Sequence, residues 1–373
     1  MGMNKWLRVV ISLAVIFTGL AFLPASSIGN QISLKGSGAT FPLPYYSAIF
    51  DVYRTRFGVN IEYQGVGSGS GIKDLLEGAV DFAGTDAFVG RTAGEDTLPR
   101  IVQIPTCLGG VAIAYNVSGN PQIRLDQSVI SDIFLGKITT WSDPRIAAAN
   151  PHIKLPDAPI NVVHRSDESG TTFIFSDYLS KVSPEWREKV GAGKSLQWPT
   201  GQGAKGNPGV AGLMRQIPNS IGYVELIYAL GNGMTTAKIR NKSGRYMEPN
   251  TRSISLAVPE QLPHDTNVSL TDTPAPEGYP ISGFTWIAVY KEQSYGGRSR
   301  DRAEALVHLL WWVTHEGQKH AARLHYAPLS RIAVKRAEKI VESITYRSQP
   351  ILKDDRKAAS TSMTRRFQRT PLP

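Results

Sequence analysis

Arg165, Ser169 and Thr171 stand close together in the stretch Val163-His164-Arg165-Ser166-Asp167-Glu168-Ser169-Gly170-Thr171-Thr172-Phe173. A guanidinium offers a planar fork of N–H donors that matches a tetrahedral oxyanion, and hydroxyls add further donors. Residues 160–163, mostly apolar, lead into this stretch and read as a strand. Residues 172–179 after it have the spacing of an amphipathic helix. A turn between two such elements leaves backbone N–H groups unpaired at the positive end of the helix dipole. The chemistry indicated is capture of an anion, with no bond made or broken. On this stretch alone an ordinary Ser/Thr helix cap fits equally well.

Two further turns have the same character. Gly36-Ser37-Gly38-Ala39-Thr40-Phe41-Pro42 follows a strand and opens a helix whose apolar stripe is Tyr45, Ile49, Val52 and Phe57, ended by Gly58. Gly65-Val66-Gly67-Ser68-Gly69-Ser70-Gly71 opens another helix, with four glycines that let backbone approach a ligand closely. Val80-Asp81-Phe82-Ala83-Gly84-Thr85-Asp86 reads as a strand ending in a carboxylate. Three strand–turn–helix units with Ser or Thr at the turn, at Thr40, Ser68 and Ser169, point to one convergent oxyanion site.

Other motifs fail on spacing. Gly191-Ala192-Gly193-Lys194-Ser195 resembles the end of a P-loop, but Glu188 stands where that motif needs glycine. His315 and His320 are five apart, so on a helix they point about 140° away from each other and cannot share a metal. Cys107, the single cysteine, sits in an apolar run and reads as a buried hydrophobe; no intrachain disulfide is possible. Trp311 and Trp312 read as core residues of a long helix over residues 301–324.

A chain of 373 residues supports two lobes, and its alternation of strand and helix patterns indicates a mixed α/β fold. Residues 232–279 read as polar and irregular. The net charge of +10 is concentrated at the ends. Lys5 and Arg8 precede an apolar run and the small residues Ala25, Ser26 and Ser27, the pattern of a secretory signal over residues 1–30. Residues 347–373 carry seven basic residues against two acidic ones and read as a disordered basic tail. Little excess charge remains for the body, which argues against nucleic acid as a partner.

Together these motifs resemble the phosphate-binding protein of bacterial phosphate ABC importers. The three turns carry the likeness, with Trp198-Pro199, residues 201–207 and Ile221-Gly222-Tyr223-Val224-Glu225. The resemblance covers residues 32–346 in order. It implies a type II periplasmic-binding-protein fold, two α/β lobes joined by two hinge crossings near 106–110 and near 280, with the ligand in the cleft. The lobes would be residues 31–108 with 280–346, and residues 109–279. It also implies phosphate contacts from Thr40, Phe41 (backbone), Ser68, Asp86, Arg165, Ser169, Gly170 (backbone) and Thr171, with Asp167 holding the arginine. Glu168 departs from members that have glycine there, and a second carboxylate near an anion is costly unless it points outward. The implied partners are inorganic phosphate and the membrane permease subunits of a phosphate ABC transporter. The protein would be a periplasmic or secreted monomer with no catalytic residue, no cofactor and no metal. Rival readings are a receptor for sulfate or molybdate, a phosphate-ester hydrolase, and an adhesin or nucleic-acid binder acting through the tail.

Overall fold

The structure, a computed structural model, describes residues 32–90 and 101–352. The signal reading therefore lies outside the described residues, as does the tail from 353. The strands are β1 (Ser33–Gly38), β2 (Asn60–Gly65), β3 (Phe82–Thr85), β4 (Ile101–Asn116), β5 (Arg124–Leu125), β6 (Asn161–Arg165), β7 (Gln202–Ala204), β8 (Ser220–Glu225), β9 (Thr235–Thr236), β10 (Lys238–Arg240), β11 (Tyr246–Met247), β12 (Ser282–Tyr290), β13 (Thr345–Tyr346) and β14 (Gln349–Pro350). The helices are α1 (Leu43–Phe57), α2 (Ser68–Leu76), α3 (Gln127–Phe134), α4 (Pro144–Ala149), α5 (Gly170–Val182), α6 (Pro184–Lys189), α7 (Gly206–Gln216), α8 (Leu226–Gly231), α9 (Thr251–Ser255), α10 (Arg300–Thr314) and α11 (Arg331–Glu342).

The main sheet has the order β2-β1-β3-β12-β4-β8-β6-β7, with β9 also beside β4. It consists of two parallel triplets, β2-β1-β3 and β8-β6-β7, joined by the antiparallel strands β12 and β4. Each parallel strand needs a crossover, so helices cover the faces and the strand ends are left free for a site. The joining strand β4 is unbroken. Residues 101–110 pair with β12 except for a bulge at Thr106, and residues 111–116 pair with β8. Where it changes partner, the Val111 N–H donates to the Ile281 carbonyl at 2.8 Å.

The helix expected after the first turn is present and Gly58 caps it at φ 70°, a left-handed conformation that costs glycine little. Its core face is Tyr45, Tyr46, Ile49, Phe50, Tyr53 and Phe57, so Tyr53 takes the place expected for Val52, which is only half-buried. Burial of each such side chain contributes about 1.5–3 kcal/mol. The strand β3 is held at its start by Asp81, which accepts from Lys35 N at 2.6 Å, from Arg302 Nε and Nη2 at 2.8 and 2.9 Å, and from Arg298. That anchor fixes the strand whose other end carries Asp86.

Three expectations are corrected. The long helix over 301–324 ends at Thr314, because His315 takes φ −121°, ψ −89°; short 3₁₀ turns follow at Glu316–His320 and Ala322–Leu324. Trp312 is core, but Trp311 is half-buried and stacks on His315 at 4.4 Å. Residues 232–279 are not wholly irregular: they contain β9, β10, β11 and α9.

A fourth correction concerns the tail. Residues 347–352 are structured: β14 pairs antiparallel with β13, and Glu292 accepts from the backbone N–H of Arg347 and of Ser348, each at 2.9 Å. Ile351 is buried. Ending the chain after Leu352 is expected to leave Tm unchanged, whereas ending it after Tyr346 should cost about 2–3 kcal/mol from the lost burial. Thermal unfolding of the two truncations checks this, and equal Tm values would contradict it.

Candidate functional site

The first parallel triplet supplies three turns. At the end of β1 the backbone turns at Gly38, φ 138°, where a Cβ would meet the Gly84 carbonyl oxygen at 2.2 Å. Only glycine fits, and Thr40 and Phe41 are thereby placed at the entrance to α1. Gly67, φ 102°, performs the same task before α2, whose first residue is Ser68. Asp86 directly follows β3. The second triplet supplies Arg165 at the end of β6 and the N-terminus of α5. Ser169 caps that helix, its Oγ accepting from Thr172 N at 3.1 Å, and Gly170 and Thr171 form its first turn.

The structure brings these residues together. Ser68 Oγ accepts from Gly170 N at 3.1 Å, across 102 positions of sequence. Nearby, Gly69 N donates to the Glu168 carbonyl at 3.1 Å. A Cβ on Gly170 would lie 2.6 Å from both Cβ and Oδ2 of Asp86. Gly170→Ala therefore forces the two turns apart. Overpacking of this kind costs about 1–3 kcal/mol, so about ten- to hundredfold weaker anion binding is expected in a calorimetric titration. Unchanged binding would mean that the two turns do not share one ligand. Thr40, Phe41, Ser68, Asp86, Arg165, Ser169 and Thr171 are each 3% exposed or less.

Arg165 is held on one edge by Asp167, with Nε to Oδ1 at 2.7 Å and Nη2 to Oδ2 at 2.6 Å. Its Nη1 donates to Thr171 Oγ1 at 3.3 Å. Burial pushes the Asp167 carboxyl up, but the Arg165 fork and charge and the Gly206 N–H outweigh it and hold the group below the usual carboxylate range. Asp86 has no such bidentate partner. Burial pushes it up to about 7, against the opposing pull of Thr285 Oγ1, which donates to Oδ1 at 2.6 Å, and of the Arg165 charge. The site thus combines a fixed cation, helix-start N–H groups and several hydroxyls with one buried carboxyl.

Glu168 is exposed, and its side chain lies over Gly69, where a Cβ would approach Oε2 to 2.0 Å. It is the outward-pointing arrangement that removes the expected cost. Beside the Arg165–Asp167 pair lies a cavity of about 250 Å³ lined by His164, Lys194, Ser195, Gln197 and Trp198, so the failed P-loop stretch borders the site without cradling it. Cys107 is buried and its thiol is pushed up by burial and by Glu225 and Asp86. No group of side chains suited to a metal ion occurs among the described residues.

Sequence reasoning missed Asn207, which is fully buried. Its backbone N and its Nδ2 both donate to Thr40 Oγ1 at 3.0 Å, and Nδ2 also donates to Thr171 Oγ1 at 3.0 Å. The position following a glycine-rich loop, two residues into α7, was the available signal.

A family model described as PBP superfamily domain matches residues 25–314. The phosphate-binding protein PstS of Xylella fastidiosa (strain 9a5c) is 39% identical over 322 residues, covering 84% of this chain and 86% of its own. The phosphate-binding protein PstS of Pasteurella multocida (strain Pm70) is 35% identical over 332 residues, 87% of this chain and 93% of its own. Among solved structures, a phosphate-binding protein from Stenotrophomonas maltophilia superposes with a TM-score of 0.62 at 20% identity, covering 82% of this chain and 93% of that one. A high-affinity periplasmic phosphate-binding protein (PfluDING) bound with phosphate gives 0.65 at 21% identity, covering 83% and 93%. The fold expected from the resemblance is thus the fold found. With relatives of this identity and coverage, the chain belongs to the PBP superfamily, among the phosphate-binding proteins PstS.

Proposed function

We propose that the protein captures inorganic phosphate outside the cytoplasm and delivers it to the permease of an ABC-type phosphate importer. The observation that carries this reading is the buried convergence of the Arg165 fork, the N-terminus of α5 and the hydroxyls of Thr40, Ser68, Ser169 and Thr171 around a single carboxyl, Asp86. Donors of that number suit a tetrahedral anion, and one acceptor suits an anion that still carries a proton. Phosphate near neutral pH is such an anion. The backbone N–H of Phe41 completes the proposed set, with that of Gly170 once the anion displaces Ser68 Oγ from it.

In this reading residues 31–108 with 280–346 form one lobe and residues 109–279 the other, a division supported by the partner change of β4, with the paired strands near 110 and 281 as the hinge. Phosphate enters the open cleft and is dehydrated as the turns of the two lobes close on it. No reaction is assigned, since the residues gathered here bind and orient. The protein works as a periplasmic or secreted monomer. Names of the relatives support the ligand, as phosphate-binding proteins. Titration of the pure protein with phosphate in a phosphate-free buffer tests the reading. One site per chain is the expected result, and absence of heat and of any shift in Tm would overturn it.

A further inference from the structure

We propose that Asn207 is a positioning residue that commits the hydroxyls of Thr40 and Thr171 to donate to phosphate, an inference that rests on the phosphate reading above. A threonine hydroxyl has one O–H and two acceptor lone pairs. At Thr40 both acceptor positions are taken, by Asn207 N and by Asn207 Nδ2. At Thr171 they are taken by Asn207 Nδ2 and Arg165 Nη1. What remains on each hydroxyl is its proton, and among the described residues no protein acceptor takes it. Both hydroxyls are buried, so the proton is left for whatever occupies the site.

The amide itself cannot turn over. Its Oδ1 accepts from Glu225 N at 2.9 Å, which leaves both Nδ2 hydrogens for the two threonines. Three elements are tied by one side chain: the turn before α1, the start of α5 and the end of β8. Without the Asn207 side chain the Thr40 hydroxyl keeps only the backbone N–H of residue 207 and Thr171 keeps only Arg165 Nη1, so each can turn to present a lone pair to the anion, which repels it. Asn207 thus makes two neutral residues behave as fixed donors, although it is assigned no contact with the anion itself.

A double-mutant cycle on the full chain, read by phosphate titration, tests this. Thr40→Val in the wild-type background is expected to weaken phosphate binding by about ten- to hundredfold, the loss of one charge-assisted donor. With Asn207→Ala already present, the same change is expected to cost less than about threefold, because the hydroxyl is no longer oriented. Asn207→Asp keeps the volume but puts an acceptor against both hydroxyls, drawing their protons away from the anion. It is expected to bind phosphate more weakly than Asn207→Ala, while the ligand-free Tm of the two variants is compared as a check on folding. Losses that simply multiply, or an Asn207→Asp variant that binds as well as Asn207→Ala, would overturn the inference while the phosphate reading stands. Wild-type protein that binds no phosphate would overturn both.

Discussion

Replacing Arg165 with alanine is expected to weaken phosphate binding by about tenfold to several hundredfold. The guanidinium is nearly inaccessible to water and is fixed on one edge by Asp167, so little entropy is lost when the anion arrives. Each charge-assisted hydrogen bond contributes roughly 1.5–3 kcal/mol. The substitution also strands Asp167, whose carboxyl is held ionised chiefly by that arginine against its own burial. A negative charge held only by the Gly206 N–H then sits where a second negative charge must bind, so the loss belongs to the upper part of the range. Arg165→Lys keeps the charge but not the fork, and should recover only part of the affinity. Calorimetric titration of the three proteins decides the matter; an unchanged dissociation constant for the alanine variant would remove Arg165 from the site.

Asp86→Asn is expected to leave phosphate binding substantially intact and to relax the rejection of sulfate. An ionised carboxylate is an acceptor only. Phosphate near neutral pH has an O–H to donate to it, whereas sulfate has none and meets an unpaired, repelling oxygen. A site built to bond a ligand hydroxyl rejects the analogue lacking it by about 10⁴–10⁵. The pH dependence follows from the position of Asp86 near 7. Below that value the ligand-free carboxyl carries its own proton and turns into a donor, so rejection of sulfate should fade as pH falls. The effect on stability has the opposite ordering from that of a salt-bridged acid. Because the folded group binds its proton more tightly than the ordinary value of 3.8, its contribution is fully present at low pH and is lost as pH rises through about 7. The ligand-free Tm should therefore fall over that window in the wild type more than in Asp86→Asn. Competition titrations with both anions test the selectivity, and wild-type protein that binds sulfate as well as phosphate would sink the role of Asp86 and the ligand together.

The turns were legible because each combines a glycine in a conformation or close approach that a side chain forbids with a hydroxyl residue at a helix start. Gly38, Gly67 and Gly170 are such positions, and local sequence shows them. Asn207 was hard to read as a site residue: its partner Thr40 is 167 positions away, and its place after a glycine-rich loop at the start of α7 is only a weak local signal. The same limit applies to β14, two residues whose place is set by Glu292 from a distant loop. The helix α10 ends where the polar run His315 to His320 begins, but its exact end is imposed by the backbone at His315. Long-range hydrogen bonds and single dihedral angles decide these features, and neither leaves a period in the sequence.

The strand β12 lies between β3 and β4 in the sheet, yet it is made long after both. As the chain emerges from the ribosome or crosses a membrane from its N-terminus, β3 and β4 appear early with no strand to separate them. Their facing edges stay unpaired until residue 290 arrives. Strands β6, β7 and β8 meet no such delay, since they and their partner in β4 are all present once residue 225 is out. In refolding too, the pairing of β12 spans the longest separations in the sheet and carries the larger entropic cost. Pulsed hydrogen exchange should find amides of β6 and β8 protected before those of β3, with the reverse order contradicting it. Order of synthesis thus leaves Asp86, at the end of β3, among the last parts of the pocket to be fixed, and until then two open edges make the half-made chain a candidate for chaperone capture.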